Sequence, residues 1–137
     1  MDLEAALHYA AARRRGVLAT HKRDGRPQLS NIAYGVVDGE VLISVTDGRA
    51  KTANVRRDPR ASLHVTSDDF WSYVVIDGEA SLTDVAADPN DAAAEMLRVT
   101  YRSIQGDHPD WDEYNQAMID DRRLVIRLRP THVYGMT

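Results

Sequence analysis

The chain has 137 residues, of which 43% are hydrophobic and 28% charged, and this balance predicts a single domain over residues 1–137. It has no cysteine, which excludes disulfides, thiol nucleophiles and zinc–thiolate sites. The net charge of −4 weighs against general nucleic-acid binding, and no apolar run is long enough to predict a membrane-spanning helix. The N-terminal Met-Asp-Leu-Glu lacks the basic-then-apolar order of a signal peptide, so we expect a cytoplasmic protein.

The first part of the chain predicts a helix followed by antiparallel strands. The spacing of leucine and alanine is helical, and Gly16 separates this segment from a short apolar strand. Two Asp-Gly pairs, at 24–25 and 38–39, are turn signals that join neighbouring strands in hairpins. The predicted elements are a helix over 2–14, strands over 17–20 and 28–37, and a third strand that ends at Thr46.

The second part of the chain predicts further strands with two helices between them. Asp88-Pro89 is a plausible helix start, because proline is favoured in the first turn. The predicted elements are strands over 61–66 and 71–82, the latter bent at Asp77-Gly78, a helix after Pro89, a loop over 106–111, a short helix through Asp120 and a strand over 123–129. Six strands without regular alternation with helices predict an antiparallel barrel with peripheral helices.

The segment 49–60 is basic although the whole chain is acidic. It carries five cations and one acid, and it lies between the turn-like Asp47-Gly48 and the helix-breaking Asp58-Pro59. A helix of two to three turns fits there, and its first N–H groups would lie beside Arg49 and Lys51. This pattern predicts a phosphate or carboxylate site. The alternative is a solvated helix face that nearby acids balance.

Several motifs, taken together and in order, resemble the flavin/deazaflavin oxidoreductases of the pyridoxamine 5′-phosphate oxidase-like split β-barrel superfamily. The similarity is greatest to the actinobacterial branch that binds coenzyme F420. It implies a six-stranded split barrel, a homodimer, and a deazaflavin held between two subunits. The motifs are Gly16-Val-Leu-Ala-Thr20, Asp24-Gly-Arg-Pro-Gln-Leu-Ser-Asn31, Arg49-Ala-Lys-Thr52, Arg56-Arg-Asp-Pro-Arg-Ala-Ser62, Trp71-Ser-Tyr73 and His132-Val-Tyr-Gly135.

The resemblance also implies which residues bind the cofactor. The positions that match its phosphate-binding helix are Arg49, Ala50, Lys51 and Thr52, and Thr46 matches a polar position nearby. Charge, a hydroxyl and a small side chain at these positions suit a phosphodiester. Arg56, Arg57 and Arg60 add cations that suit the anionic glutamate tail of F420 better than the monophosphate of FMN.

Two other segments match positions around the cofactor ring. The strand residues Gln28, Ser30 and Asn31 match the segment that runs under the ring, and their alternative is the outward polar half of an alternating strand. The residues Trp71, Ser72 and Tyr73 match a stretch that contacts the cofactor from the partner subunit. Their alternative is a place in the core or in the dimer interface.

The sequence as a whole predicts an F420H2-dependent oxidoreductase that transfers a hydride to an electron-poor unsaturated small molecule. The alternatives are an FMN-binding oxidase of the same fold and a non-enzymatic F420 carrier. The scattered histidines have no metal-ligand spacing, so we expect no metal site, and no residue type identifies a catalytic group. The resemblance implies that residues 104–114 and the C-terminal segment shape the substrate pocket, where Trp111 and Tyr114 line the entrance or anchor a helix.

Overall fold

The computed structural model describes all residues 1–137 and consists of one curled β-sheet with four helices packed against it. The helices are α1 (Leu3–Ala11), α2 (Ala50–Arg57), α3 (Ala92–Gln105) and α4 (Trp111–Asp120). The strands are β1 (Arg15–His21), β2 (Pro27–Ala33), β3 (Gly35–Val37), β4 (Glu40–Thr46), β5 (Arg60–Thr66), β6 (Tyr73–Leu82) and β7 (Arg123–Met136). None of the four helices combines the length and apolar character needed to cross a lipid bilayer.

All neighbouring strands are antiparallel, in the order β2-β1-β5-β6-β7-β4-β3. Both predicted Asp-Gly turns join paired strands, and Asp38 and Gly39 have the positive φ angles that a tight two-residue hairpin turn requires. The bend predicted at Asp77-Gly78 is a register shift between β6 and β7. A Cβ at Gly78 would lie 2.3 Å from the carbonyl oxygen of Arg129, so only glycine fits this close approach.

The prediction of six strands was wrong, because the expected strand over 28–37 is two strands on opposite edges of the sheet. Only Tyr34 separates β2 from β3, so the sheet has to curl until its two edges nearly meet. Tyr34 is fully buried, and its hydroxyl donates a hydrogen bond of 2.7 Å to the carbonyl oxygen of Ala10. Helix α1 therefore fixes the point at which the chain leaves one edge for the other.

Several predicted boundaries also differ from the observed ones. Strand β6 begins at Tyr73 and not at residue 71, so Trp71 and Ser72 lie in the preceding loop. Helix α1 ends at Ala11 and not at residue 14. Helix α3 begins after Asp91 and not at Pro89. The carboxylate of Asp91 accepts hydrogen bonds from the N–H groups of Ala87, Asp88 and Ala94, and it therefore caps the helix at this later position. The last strand runs to Met136 and not to residue 129, because β6 offers it pairing partners from Ile126 to Met136.

The hydrophobic core lies on both sides of the strands β4 and β7. Inside the curl, α1 and α2 cover a cluster that includes Leu18, Ile43, Leu63 and Ile126. Outside it, α3 and α4 cover Leu42 and Val125 with their own apolar face. The helix predicted after Pro89 is confirmed as α3, whose residues Ala93, Leu97 and Thr100 are buried on its inner face.

Candidate functional site

The basic helix predicted between Asp47 and Pro59 is α2, and buried polar contacts hold it against the sheet. The hydroxyl of Thr52 donates a hydrogen bond of 2.8 Å to the carbonyl oxygen of Thr46 at the end of β4. The amide of Asn54 donates one of 3.1 Å to the hydroxyl of Thr20 on β1. Thr52, Asn54 and Thr20 are all buried, so these bonds fix both the position and the rotation of the helix.

The cations of this segment divide into a paired group and an unpaired group. Arg56 forms an ion pair with Asp47, and Arg60 forms one of 2.8 Å with Asp58. The guanidinium of Arg57 donates hydrogen bonds to the carbonyl oxygen of His21, at 2.6 Å, and to Asn54 Oδ1, at 3.0 Å. The C-terminal half of the helix is therefore the balanced face that the alternative interpretation predicted.

The N-terminal half carries the unpaired cations Arg49 and Lys51, neither of which forms an ion pair or a side-chain hydrogen bond. Arg49 is exposed and Lys51 is half-buried. Partial burial lowers the pKa of Lys51, and the positive charges of Arg49 and Arg123 lower it further. Lys51, Arg49 and Arg123 are therefore close together, and no carboxylate pairs with Lys51. This concentration of positive charge makes the start of α2 suited to an anion.

Lys51 lines a cavity of about 520 Å³ between the sheet and the helices α3 and α4. This volume is in the range of small-molecule sites in proteins. One wall is polar and contains Asn31 of β2, Ser44 of β4 and Arg123 of β7. The opposite wall contains the aromatic and apolar side chains Tyr101, Ile104, His108, Tyr114 and Met118.

Arg123 and Ser44 belong to this cavity although the sequence analysis did not select them. Arg123 Nε is buried without a hydrogen-bond partner, and the nearest carboxylate oxygen, on Asp121, is 3.7 Å away. Arg123 Nη1 lies 3.5 Å and 3.4 Å from the carbonyl and hydroxyl oxygens of Ser44, which are long distances for hydrogen bonds. The alternation of Leu124, Ile126 and Leu128 was the available signal, because it places Arg123 on the other face of β7, the face that α3 and α4 cover.

The three polar residues predicted on the second strand do not share one face of β2. Gln28 and Ser30 are half-buried, whereas Asn31 lies on the exposed face together with Leu29. Only Asn31 of the three lines the cavity. Leu29 has 62% of its surface exposed, so the outward half of this edge strand is partly apolar and not simply polar.

The remaining positions matched to the cofactor lie in two places. Thr46 and Ala50 flank the start of α2, where Ala50 is exposed and the carbonyl of Thr46 accepts the hydrogen bond of Thr52. Trp71, Ser72 and Tyr73 lie at the end of the β5–β6 hairpin and do not line the cavity within this chain. The exposed fraction of Trp71 is 81%, and the hydroxyl of Ser72 is 2.7 Å from that of Tyr9.

The aromatic side chains of the cavity wall belong to a cluster of four rings, which we call the α3–α4 aromatic cluster: Tyr101, His108, Trp111 and Tyr114. Trp111 is the member that does not line the cavity. Their ring centroids are 5.1–5.8 Å apart. Tyr114 is buried, and its hydroxyl donates a hydrogen bond of 2.8 Å to the carbonyl oxygen of Leu97. Burial raises the pKa of Tyr114 to about 12. Tyr114 thus both anchors α4 and contributes to the cavity wall. No three His, Asp or Glu side chains are grouped as metal ligands.

A curled antiparallel sheet with helices packed on both of its faces, and with an anion-suited cavity beside it, defines a split-barrel protein. The family model described as pyridoxamine 5′-phosphate oxidase matches residues 3–137, and the chain therefore belongs to that family. The resemblance to the pyridoxamine 5′-phosphate oxidase-like superfamily is therefore confirmed.

Solved structures with the same fold include proteins of different roles. Conserved hypothetical protein Rv2991 from Mycobacterium tuberculosis is 24% identical, with a TM-score of 0.79 over 99% of this chain and 84% of that chain. A heme binding protein from Mycobacterium smegmatis is 24% identical, with a TM-score of 0.71 over 98% of this chain and 53% of that one. An F420 reductase is 23% identical, with a TM-score of 0.65 over 96% and 94% of the two chains. These likenesses establish the fold.

Proposed function

We propose that the protein is an oxidoreductase that binds coenzyme F420 and passes a hydride from its reduced form to an electron-poor unsaturated small molecule. The observation that carries this proposal is the unpaired cation Lys51 in the wall of a ligand-sized cavity. The structural likeness to an F420 reductase over nearly the whole of both chains supports it. The family as a whole supports a flavin-like cofactor.

The residues at the start of α2 fit the phosphodiester of F420. Lys51 and Arg49 supply two unpaired positive charges, and the first N–H groups of the helix lie beside them. Ala50 leaves room for a close approach to the backbone. The hydrogen bond from the hydroxyl of Thr52 to the carbonyl oxygen of Thr46 fixes this end of the helix and so positions Lys51. When bound, the reduced cofactor supplies the hydride.

The edge strand β2 fits the cofactor ring. Asn31 lines the cavity and offers an amide donor and acceptor for the polar edge of the ring, while Gln28 and Ser30 hold the other face of the strand against the protein. The apolar side chain of Leu29 extends the outward face on which a flat ring can lie. Arg57 is a cation of the same helix without a carboxylate partner, and it is suited to the anionic tail beyond the phosphate although its guanidinium also bonds within the protein.

We also propose that the working protein is a homodimer whose second subunit completes the cofactor site with Trp71, Ser72 and Tyr73. Phe70 and Trp71 expose 77% and 81% of their surface at the hairpin tip, which is unusual for side chains of this size. Multi-angle light scattering tests this proposal directly. A monomer that retains full affinity for F420 contradicts it.

The deciding experiment is a spectral titration of the purified protein with F420, FMN and hemin. We expect F420 to bind with a dissociation constant in the micromolar range or below, and FMN to bind at least about tenfold more weakly. Tighter binding of FMN supports the FMN-dependent alternative, and a Soret band at stoichiometric hemin supports a heme-binding role like that of the mycobacterial relative.

A second measurement separates an enzyme from a carrier. Protein that binds F420 is mixed with F420H2 and a panel of enones and quinones, and reoxidation of the cofactor is followed by absorbance. Catalysed oxidation with at least one acceptor supports the enzyme. Tight F420 binding without turnover of any acceptor supports the carrier.

A further inference from the structure

We propose that Arg123 and the α3–α4 aromatic cluster form an acceptor subsite that selects a flat conjugated ring carrying an anionic group, such as a carboxylate. The inference rests on the proposed function only in naming the bound molecule as the hydride acceptor. The contacts of Arg123 and of the aromatic cluster within this chain define the subsite itself. It adds a specificity role to a residue that no sequence motif identified.

The hydrogen-bonding capacity of Arg123 is largely unused inside the protein. A guanidinium has five N–H donors in one plane, yet Arg123 Nε is buried without a partner and Arg123 Nη1 has only the long contacts to Ser44. The carboxylate of Asp121 is 3.7 Å from Nε and is 57% exposed. Because Nε is shielded from solvent, a planar anion in the cavity would accept its two parallel hydrogen bonds from the Nη1 and Nη2 groups.

The other two half-buried or exposed arginines of β7 show what a paired guanidinium looks like in this fold. Arg127 Nη2 donates to Glu40 at 2.6 Å, and Arg129 Nη2 donates to Glu79 at 2.7 Å. Both carboxylates come from neighbouring strands. Arg123 lacks such a short contact, and it is the one of the three that lines the cavity. Arg127 Nε is also buried without a partner, so the difference lies in the terminal Nη groups, and those of Arg123 are the ones without a short contact inside the protein. This contrast indicates that the partner of the Arg123 Nη groups is a ligand.

Two cations on one cavity wall suit two anionic groups. Lys51 lies at the end of α2, and Arg123 lies at the start of β7, where its backbone pairs with Thr46. The charge of Arg123 acts on Lys51, so the two are close enough to repel each other. If the cofactor phosphate neutralises Lys51, Arg123 is left for the acceptor. Glu113 is the acid that lines the same cavity, and it is exposed.

The opposite wall suits a flat ring. Tyr101 lies 5.1 Å from both His108 and Tyr114 between ring centroids, so these three rings form a continuous aromatic surface on the cavity. Met118 lies beside them and can adapt to different ring shapes. His108 Nδ1 accepts a hydrogen bond of 2.9 Å from the N–H of Asp110. This contact places the proton of the neutral ring on Nε2, a donor suited to a carbonyl group.

The test uses the protein without cofactor and a matched pair of probes, 2-naphthoate and 2-naphthamide. The chain has two tryptophans, so Trp71→Phe leaves Trp111 of the aromatic cluster as the single reporter. We expect 2-naphthoate to quench Trp111 fluorescence and to bind at least about tenfold more tightly than the amide in calorimetry. Equal affinities for the two probes, or no quenching of Trp111, would overturn the subsite.

Arg123→Gln tests the residue, and Arg129→Gln on the same strand is the control because Arg129 is exposed and paired with Glu79. We expect Arg123→Gln to abolish the preference for the carboxylate while the amide affinity stays the same, and we expect Arg129→Gln to change neither. Circular dichroism melting of both variants verifies folding. Retention of the carboxylate preference in folded Arg123→Gln protein overturns the inference.

Titration with F420 separates this inference from the proposed function. We expect Arg123→Gln to bind F420 within about threefold of the unmodified protein. A loss as large as that of Lys51→Ala would place Arg123 in the cofactor site and overturn the inference while the proposed function stands. Unmodified protein that prefers 2-naphthoate but does not bind F420 would sink the proposed function alone.

Discussion

The hydroxyl of Thr52 donates a hydrogen bond of 2.8 Å to the carbonyl oxygen of Thr46, and this contact ties the first turn of α2 to the end of β4. Thr52 has no exposed surface. Its hydroxyl is therefore engaged within the protein, and its neighbour Lys51 is the side chain that lines the cavity. The bond therefore acts on the proposed anion site through the position of the helix.

Thr52→Val tests this positioning role, because valine keeps the shape and removes the donor. We expect a loss of about 1–2 kcal/mol in the free energy of unfolding, which is the usual cost of removing one buried hydrogen-bond partner. We also expect weaker F420 binding, since Lys51 is less firmly placed. Urea denaturation and spectral titration measure the two effects. Thr52→Ser retains the hydroxyl and should recover most of both, and failure of that recovery would contradict the role.

Arg57→Ala tests whether Arg57 acts mainly on stability or on the cofactor tail. Its guanidinium joins the carbonyl oxygen of His21 to Asn54 Oδ1, so we expect its removal to lower the free energy of unfolding by about 1 kcal/mol. Arg60→Ala is the control, because Arg60 pairs only with Asp58 at the surface. If Arg57 binds the tail instead, affinity for F420 with a long glutamate tail falls more than affinity for a short-tailed form.

The lowered pKa of Lys51 predicts a pH dependence of binding. Burial and two neighbouring cations disfavour its charged form, so Lys51 loses its proton below the ordinary lysine value of about 10.4. Affinity for the anionic cofactor should therefore fall as the pH rises from about 7 toward 10. Lys51→Arg keeps its charge in that range, and its affinity should fall less. Titration of the ligand affects both proteins equally, so it cancels in the ratio of the affinity of Lys51→Arg to that of the unmodified protein. A ratio that does not change with pH would contradict the loss of the Lys51 proton as the cause.

Tyr34 predicts a loss of stability in alkaline solution. Burial raises the pKa of Tyr34 in the folded protein, while in the unfolded chain a tyrosine has a pKa of about 10. The unfolded state therefore releases the proton first, and the stability present below about pH 10 is lost as the pH rises further. Tyr34→Phe should cost about 1 kcal/mol at pH 7, through the lost hydrogen bond to Ala10, and should reduce the alkaline slope. Tyr134→Phe, at an exposed position, should change neither quantity.

The parts of the fold that local signals determine were predictable from the sequence. The Asp38-Gly39 hairpin and the helix between Asp47 and Pro59 depend on turn chemistry and on residues close in the chain, and both are confirmed. The division of the second strand at Tyr34 was not predictable, because a buried contact to Ala10 of a distant helix causes it. The residues on both sides of Tyr34 favour a β-strand by their intrinsic propensity, so the sequence predicts one continuous strand there.

The candidate site was predictable where charge runs against the composition of the chain. Lys51 and Arg49 were selected for that reason, and they are the cations of the segment 49–60 whose side chains have no partner inside the protein. Charge alone could not separate them from Arg56, because the pairing of Arg56 with Asp47 depends on the end of β4. Arg123 was missed, since only the pairing of β7 with β4 brings it beside Lys51.

The affinity of Lys51→Ala for F420, set against that of Lys22→Ala, tests the central claim most directly. Lys22 is an exposed cation outside the cavity, so it reports only general charge attraction. A charge-assisted hydrogen bond contributes about 1.5–3 kcal/mol, and Lys51→Ala should therefore weaken binding by roughly tenfold to a hundredfold with nearly unchanged stability. Lys22→Ala should leave binding unchanged. Equal losses in the two variants, or full affinity in Lys51→Ala, would contradict a cofactor site at the start of α2.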